Sequence, residues 1–309
     1  MKQQIVRQFL EEGILLSPEA LSKITEKNLE KTLEQAREEG KLVFSLKEEQ
    51  EGFLIEVRKI QKKQKFTAQE LARYYNSRFE GMRGLLEKKM DGLVSISNAK
   101  KSLAPVSTIG MVREATQRGF IIEDTTGEAE IITKSEEPQP DDVIGVKGHV
   151  KEGKIFTEEI AWPDVPMNRH NNRPQIQLVL SEKDSHKSEY VITPEAVSGP
   201  DRKKSTLPNP GWITITREGV QATVLVYNPN RSVSQKEAFG WLKRRHLLPD
   251  KTQIRSTEDP FLIEPIPDLV WIIGPEQWSE SYKGVIIVCS DGTRSAEVNL
   301  EKGEVAFRD

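Results

Sequence analysis

The sequence predicts a multidomain α+β protein in which a helical N-terminal module, a small five-stranded barrel and a sheet-built third part follow one another. Three observations carry this. Apolar spacing is helical up to about residue 90, it becomes strand-like from Ala104, and after Trp162 short apolar runs alternate with loops dense in Pro, Asn and Gly. At 309 residues the chain is long enough for two or three domains that each bury a core. The expected limits are 1–100, 101–166 and 167–309.

In the first part Ile5, Val6, Phe9 and Leu10 share a face, and Ser17-Pro18-Glu19 has the chemistry that opens a second helix. A third pattern, Leu29, Leu33 and Ala36, stops at Gly40, which suits a left-handed C-cap. Thr67-Ala68-Gln69-Glu70 is a capping box, and Leu71, Tyr75, Phe79, Met82 and Leu86 follow it at steps of three and four, predicting one buried stripe. Leu42-Val43-Phe44 and Phe53-Leu54-Ile55 read equally as short strands or packed linkers.

Val106–Arg113, Gly119–Glu123, Glu128–Thr133, Val143–Val150 and Lys154–Ile160 are strand-like segments separated by turn signals such as Thr126-Gly127 and Glu152-Gly153. Five strands in so short a span predict a small barrel, and the OB-fold is the commonest such candidate. The Pro138–Asp142 loop falls where that fold places its long connection, between strands three and four. In the third part Ile176–Leu180, Trp212–Thr216, Ala222–Tyr227, Leu269–Ile273 and Gly284–Cys289 read as strands, and Ser234–Leu247 as a helix. The stretches 168–174 and 198–211 read as exposed loops.

Charged residues make up 30% of the chain but nearly cancel at a net charge of −3, so bulk charge does not hold a polyanion and any nucleic-acid contact needs a local patch. The single cysteine, Cys289, excludes a disulfide framework and a multi-cysteine zinc site. Set among apolar residues, it reads as a buried strand thiol. No apolar run is long enough for a membrane span or a signal peptide, so the expectation is a cytoplasmic protein without membrane contact.

Several stretches together resemble the small (B) subunit of archaeal DNA polymerase D: Ala72-Arg73-Tyr74-Tyr75-Asn76-Ser77-Arg78-Phe79-Glu80, Val94-Ser95-Ile96, Ile109-Gly110-Met111-Val112-Arg113, Glu123-Asp124-Thr125-Thr126-Gly127, Asp142-Val143-Ile144-Gly145-Val146 and Trp162-Pro163-Asp164-Val165-Pro166. The likeness resumes at Leu242–Pro249, Pro265–Val270 and Tyr282-Lys283-Gly284-Val285. The resemblance implies an OB-fold joined to a calcineurin-like phosphoesterase-type sheet domain, here truncated. It also implies a role in DNA replication beside the large, catalytic polymerase subunit or its C-terminal region.

Active members of that family hold two metals with Asp-x-His, Gly-Asp-x-x-Asp, Gly-Asn-His-Asp, His-Gly and Gly-His-x-His motifs, which generate the attacking hydroxide. Here the first strand runs into Ser181-Glu182-Lys183-Asp184, and the middle motifs have no counterpart before Trp212. Asn228-Pro229 stands where His-Gly is expected, and Gly274-Pro275-Glu276-Gln277 where Gly-His-x-His is expected. The former ligand positions are thus Ser181, Asn228, Pro275 and Gln277, and the expectation is an inactivated phosphoesterase with no catalytic residues, no metal and no cofactor. His170, His186 and His246 have no paired spacing and read as solvated surface.

Candidate DNA or partner contacts are Lys147, His149, Lys151 and Lys154 around one barrel hairpin, Arg202, Lys203 and Lys204 on a proline-rich loop, and Lys243, Arg244 and Arg245 at a helix end. Solubilising charge explains the last two clusters as well. Phe120 and Phe156, the barrel's main aromatics, alternate like core residues rather than a stacking platform, so a protein-binding barrel is the stronger reading and direct DNA contact is weak. Gln3, Val6, Phe9 and Leu10 loosely match a sliding-clamp box, which an amphipathic first helix also explains; primase is a further partner candidate. The function expected is a non-catalytic accessory or scaffold subunit of an archaeal replication complex. The rivals are a free-standing single-stranded DNA-binding protein and a metal-dependent 3′–5′ exonuclease with a rearranged site.

Overall fold

The computed structural model describes residues 2–16, 24, 29, 32–33, 43–44, 53–60, 67–134, 138–167, 172–183, 188–200, 203–249, 253–254 and 256–308. Contacts divide the chain into two units, Met1–Phe53 and Leu54–Asp309. The division falls well before residue 100, because the long helix of the expected first module packs on the barrel instead.

In the first unit, α1 (Lys2–Glu11) buries Ile5 and Phe9 against Ile14 and Ile24. Leu10, expected on the same face, is 52% exposed, since it lies about 140° around the helix from Ile5. β1 (Leu15–Leu16) pairs in parallel with β2 (Val43–Phe44), so that apolar pair is a strand. Leu29 and Leu33 are helical and pack on the same cluster, whereas Ser17, Ala36 and Gly40 lie outside the described residues.

The second unit begins at Leu54, within β3 (Phe53–Val57), and continues with α2 (Ala68–Glu87). The capping box forms as expected: Glu70 N–H donates to the Thr67 hydroxyl and the Glu70 carboxylate accepts from Thr67 N–H. The buried face is Tyr74, Arg78, Phe79, Met82 and Leu86, while Leu71 is 40% exposed and Tyr75 half-buried. The stripe is therefore rotated from its expected line, because a buried carboxylate draws Arg78 inward and Tyr74, one turn earlier, follows it.

After α3 (Ile96–Ala99, capped by Ser95) come β4 (Val106–Thr116), β5 (Gly119–Asp124), β6 (Gly127–Ile132), β7 (Val143–Lys151) and β8 (Lys154–Ala161). They close into a barrel in the order β4-β5-β6-β8-β7. Val112, Phe120, Ile122, Ile131, Ile144, Val146 and Ile155 fill it. Phe156 departs from the core expectation: it is half-buried and stacks on the His149 ring at 5.6 Å. Gly145 is a close-approach glycine, since a Cβ there would sit 2.0 Å from Met90 Sδ, where the end of the α2 segment seats on the barrel.

The remainder forms two six-stranded sheets with one helix among the described residues. One sheet runs β16 (Trp278–Tyr282), β17 (Val285–Ser290), β15 (Leu269–Ile273), β14 (Val220–Tyr227), β13 (Gly211–Arg217), β3. The other runs β12 (Lys204–Thr206), β11 (Ala196–Ser198), β10 (Tyr190–Ile192), β9 (Gln177–Leu180), β18 (Ser295–Asn299), β19 (Glu304–Arg308). β10, β11, β12, β16, β18 and β19 are additional to the expected strands, and β12 lies inside the stretch expected to be loop. α4 (Gln235–Arg244) lays Ala238, Trp241 and Leu242 on Leu225, Tyr227, Val270, Ile272, Val285 and Ile287. The alternate residues Val224, Val226, Leu269, Trp271, Ile286 and Val288 are buried too, so the central strands are covered on both faces. Among the described residues no helix is long and apolar enough to cross a membrane.

Candidate functional site: the strand ends and the barrel seam

β14, β15 and β17 run parallel and in register, with Tyr227, Ile272 and Cys289 aligned. Their carboxyl ends therefore share one edge, the place where open α/β sheets bind ligands. Asn228 follows β14 and Gly274-Pro275 follows β15, while Gly274 N–H donates to Ser290 O at the end of β17. Ser181, at the end of β9 in the other sheet, joins the same edge, because Glu182 N–H donates to Gly292 O. The fold thus gathers Ser181, Asn228, Pro275 and Gln277 on one rim.

Ser181 and Asn228 serve their own loops, and Gln277 reaches across to the loop after β17. Ser181 Oγ accepts from Lys183 N–H, Asn228 Oδ1 accepts from Asn230 N–H, and Gln277 Oε1 lies 3.5 Å from Arg294. The Asn228 backbone is tied further, donating to Asn209 Oδ1 and accepting from Gln253 Nε2. Asp291 is locked by Thr293, whose hydrogen bonds hold its carboxyl below the usual range. Burial, helped by the nearby Glu276 charge, pushes the Cys289 thiol up to about 12, far from a reactive thiolate. Among the described residues no three His, Cys, Asp or Glu side chains gather at metal-binding spacing.

His246 overturns its solvated-surface expectation. It is buried, its Nδ1 accepts from Leu248 N–H, and its Nε2 faces Asp259 Oδ2 at 2.9 Å. The backbone bond fixes Nδ1 as acceptor and so Nε2 as the protonated nitrogen, which leaves neither free to bind a metal. Arg78 Nε reaches the same carboxylate at 2.7 Å, and Arg78 Nη2 donates to the Tyr74 hydroxyl. Burial alone would raise the Asp259 pKa, but His246 and Arg78 together hold it well below the ordinary carboxylate value. Burial also lowers the His246 pKa, against the pull of Asp259, so the imidazole is kept neutral. His170 and His186 lie outside the described residues.

The cations at the end of α4 also turn away from solvent. Arg245, in the left-handed C-cap, is buried and donates from Nε to Ile263 O. Arg244 Nε sits 3.0 Å from Asp142 Oδ1, and both Lys243 and Arg244 stack over the Trp162 ring. Burial raises the Asp142 pKa, and Arg244 opposes that rise. Arg244 and Arg245 thus face inward, and this cluster fastens the sheets to the barrel rather than offering an open phosphate contact. The seam continues at Trp162–Pro166, where the Lys89 ammonium donates to the carbonyls of Trp162, Pro163 and Asp164. The Asp164 carboxylate meets the Tyr282 hydroxyl at 3.0 Å and the Lys283 ammonium at 2.5 Å.

On the barrel hairpin, Lys147 pairs with Glu159, His149 with Glu158 and Lys154 with Glu130, so three of the four expected contacts carry a carboxylate neighbour. Lys151 is exposed at the hairpin tip. Lys203 and Lys204 are exposed at the start of edge strand β12, and Arg202 lies outside the described residues. Sequence reasoning missed the Arg78–Asp259–His246 cluster because its members are far apart in the chain.

Comparison with known proteins then orients this geometry. The chain is 25% identical to the DNA polymerase II small subunit of Thermoplasma acidophilum over 236 residues, 64% of this chain and 47% of that relative. It is 29% identical to the DNA polymerase II small subunit of Archaeoglobus fulgidus over 123 residues, 37% of this chain and 25% of that relative. The chain is similar to archaeal DNA polymerase small subunits. It spans less than half the length of these curated relatives. No family model matches it.

Proposed function

We propose that the chain is a non-catalytic accessory subunit of an archaeal DNA polymerase, a degenerate relative of the polymerase D small subunit with a shortened phosphoesterase-like domain. In this reading the barrel, over about 101–166, is an OB-fold, and its strand order supports that assignment. The double sheet, built from 167 onward with β3 added at one edge, is in this reading the remnant of the phosphoesterase domain, and 1–100 supplies the helical module and linker helix. The similarity to two DNA polymerase II small subunits supports the replication role.

One observation carries the non-catalytic part. The positions where ligands are expected converge on one rim, yet they present Ser181 and Asn228, each committed to a local turn, Pro275, which cannot ligate through its side chain, and Gln277, an exposed amide facing Arg294 and a weak substitute for imidazole. Function then lies in docking: the barrel and adjoining sheet bury surface against a catalytic polymerase chain, with specific interfaces of this kind removing about 1,600 Å² from water. The carboxylates beside Lys147, His149 and Lys154 favour a protein over a polyphosphate strand there.

Co-expression with the catalytic polymerase chain of the source organism, followed by light scattering on the eluted complex, tests the docking. A stoichiometric complex is expected, and recovery of the two chains separately at micromolar concentration overturns it. A 3′-labelled oligonucleotide incubated with manganese tests the chemistry. Chelator-sensitive release of nucleotides by this chain alone would return it to the nuclease class.

A further inference from the structure

β16 is the outermost strand of its sheet, and among the described residues no strand pairs with its outer side. It joins β17 through Lys283-Gly284, both at positive φ (47° and 80°), a two-residue turn that matches the twist of a hairpin. Such a turn makes Tyr282 and Val285 the pair that exchanges hydrogen bonds. Alternation then aims the backbone groups of Trp278, Glu280 and Tyr282 at β17 and those of Ser279 and Ser281 outward. The register runs through all five pairs without a bulge, and neither Lys nor Pro stands on the strand to blunt it.

A groove of about 670 Å³ opens at the first residue of this strand, between the start of α4 and the segment entering β16. Ser234, Lys236, Glu237, Glu276 and Trp278 line it. Glu237 is held by Arg231, whereas Glu276 Oε2 is buried without a hydrogen-bond partner in the structure. A carboxylate oxygen is acceptor only, so it calls for a donor, and the adjoining indole favours a cationic one. Trp278 and Tyr282 pack partly on the core beneath α4, which fixes the groove wall. From Lys251 to Asp309 the chain carries 6 Lys and Arg against 11 Asp and Glu, so this part attracts basic segments.

We propose that the outer edge of β16 takes an extended basic peptide strand of a partner protein, which pairs with Ser279 and Ser281 and seats a Lys or Arg over Trp278 against Glu276. Backbone pairing supplies most of the affinity, and the groove supplies the preference for a cation. The site does not depend on the accessory-subunit reading, because it concerns the outward backbone groups of Ser279 and Ser281 and the groove at Trp278, whereas only the far end of β16, at Tyr282, touches the barrel seam. Either can fail alone.

The test uses the full chain and two short strand-forming peptides, one alternating Thr with Lys and the other alternating Thr with Glu. The Lys peptide is expected to bind and to slow amide exchange at Ser279 and Ser281, while the Glu peptide leaves both unchanged. Ser279→Pro removes an outward N–H and no ladder bond, and should abolish binding. Glu276→Gln should weaken it about tenfold, equivalent to ~1.4 kcal/mol, and flatten its salt dependence. The proposal is overturned if the Lys peptide fails to bind, if both peptides bind alike, or if Ser279→Pro leaves the affinity intact. The two-peptide comparison needs no variant, so it decides the matter even where Ser279→Pro impairs folding.

Discussion

Replacing Arg78 by Met should destabilise the second unit by about 3–5 kcal/mol, the usual cost of removing one partner from a buried ion pair. The magnitude follows from the surroundings. Arg78 and Asp259 side chains are 5% and 0% exposed and 2.7 Å apart, so the variant leaves a carboxylate shut away from water with the neutral His246 imidazole as its remaining side-chain donor. Arg78 also carries the Tyr74 hydroxyl bond at 3.0 Å and packs over the Tyr74 and Tyr75 rings, so methionine restores volume but neither donor. Urea unfolding of wild type, Arg78→Met, Asp259→Asn and the double variant closes a cycle whose coupling energy should exceed about 2 kcal/mol. A coupling below about 0.5 kcal/mol would refute the claim that the pair acts as a unit tying α2 to the segment after α4.

The same cluster sets a pH dependence. The folded pKa of His246 lies below its unfolded value of about 6.5, so the unfolded chain takes up the proton first and stability falls as pH drops from about 6.5 toward the folded pKa. His246→Gln should lose that slope in a pH series of urea midpoints, while the contribution of Asp259, present above about pH 3.9 and lost toward lower pH, remains. Arg244→Ala should cost about 1–3 kcal/mol by stranding the Asp142 carboxylate, 1% exposed, and should leave the sheets more open to protease at the 162–166 linker. Gly145→Ala should cost about 1–3 kcal/mol in thermal unfolding, because its Cβ would displace the buried end of the Met90 side chain, which must find another rotamer within a packed cluster.

Elements held by local chemistry were legible in the sequence. The Thr67–Glu70 box and the barrel strands rest on residues a few positions apart, and the structure places the strands within a residue of their expected limits except the end of β4, which runs three residues further to Thr116. Long-range burial was not legible. Nothing in Lys243-Arg244-Arg245-His246 says that its last two members point inward, because that depends on Asp259 and Ile263 returning beneath them. Strands of three to five residues at the sheet margins, such as β11, β12 and β16, escape detection for a related reason. They are stabilised by a neighbour's edge and carry too few apolar positions for a period to show. At the strand ends the residue types at Ser181, Asn228, Pro275 and Gln277 were readable, and their convergence on one rim required the parallel register of β14, β15 and β17.

The inward turn of Arg244 and Arg245 bears on how docking would work. A cation committed to Asp142 or to a main-chain carbonyl cannot release counterions from a nucleic-acid backbone without first breaking a bond in the seam. The same bonds fix the barrel against the sheets, with Lys89 bridging three carbonyls and Asp164 held from two sides. A partner that spans both parts therefore meets a preformed surface and loses little affinity to ordering it. On the accessory-subunit reading this predicts that loosening the seam by Asp164→Ala weakens the complex with the catalytic chain chiefly through faster dissociation, at an association rate that stays within about threefold. Surface plasmon resonance on the paired chains reads both rates. An unchanged dissociation rate would mean that the partner grips the barrel or the sheets alone, and that the rigidity of the seam serves folding rather than docking.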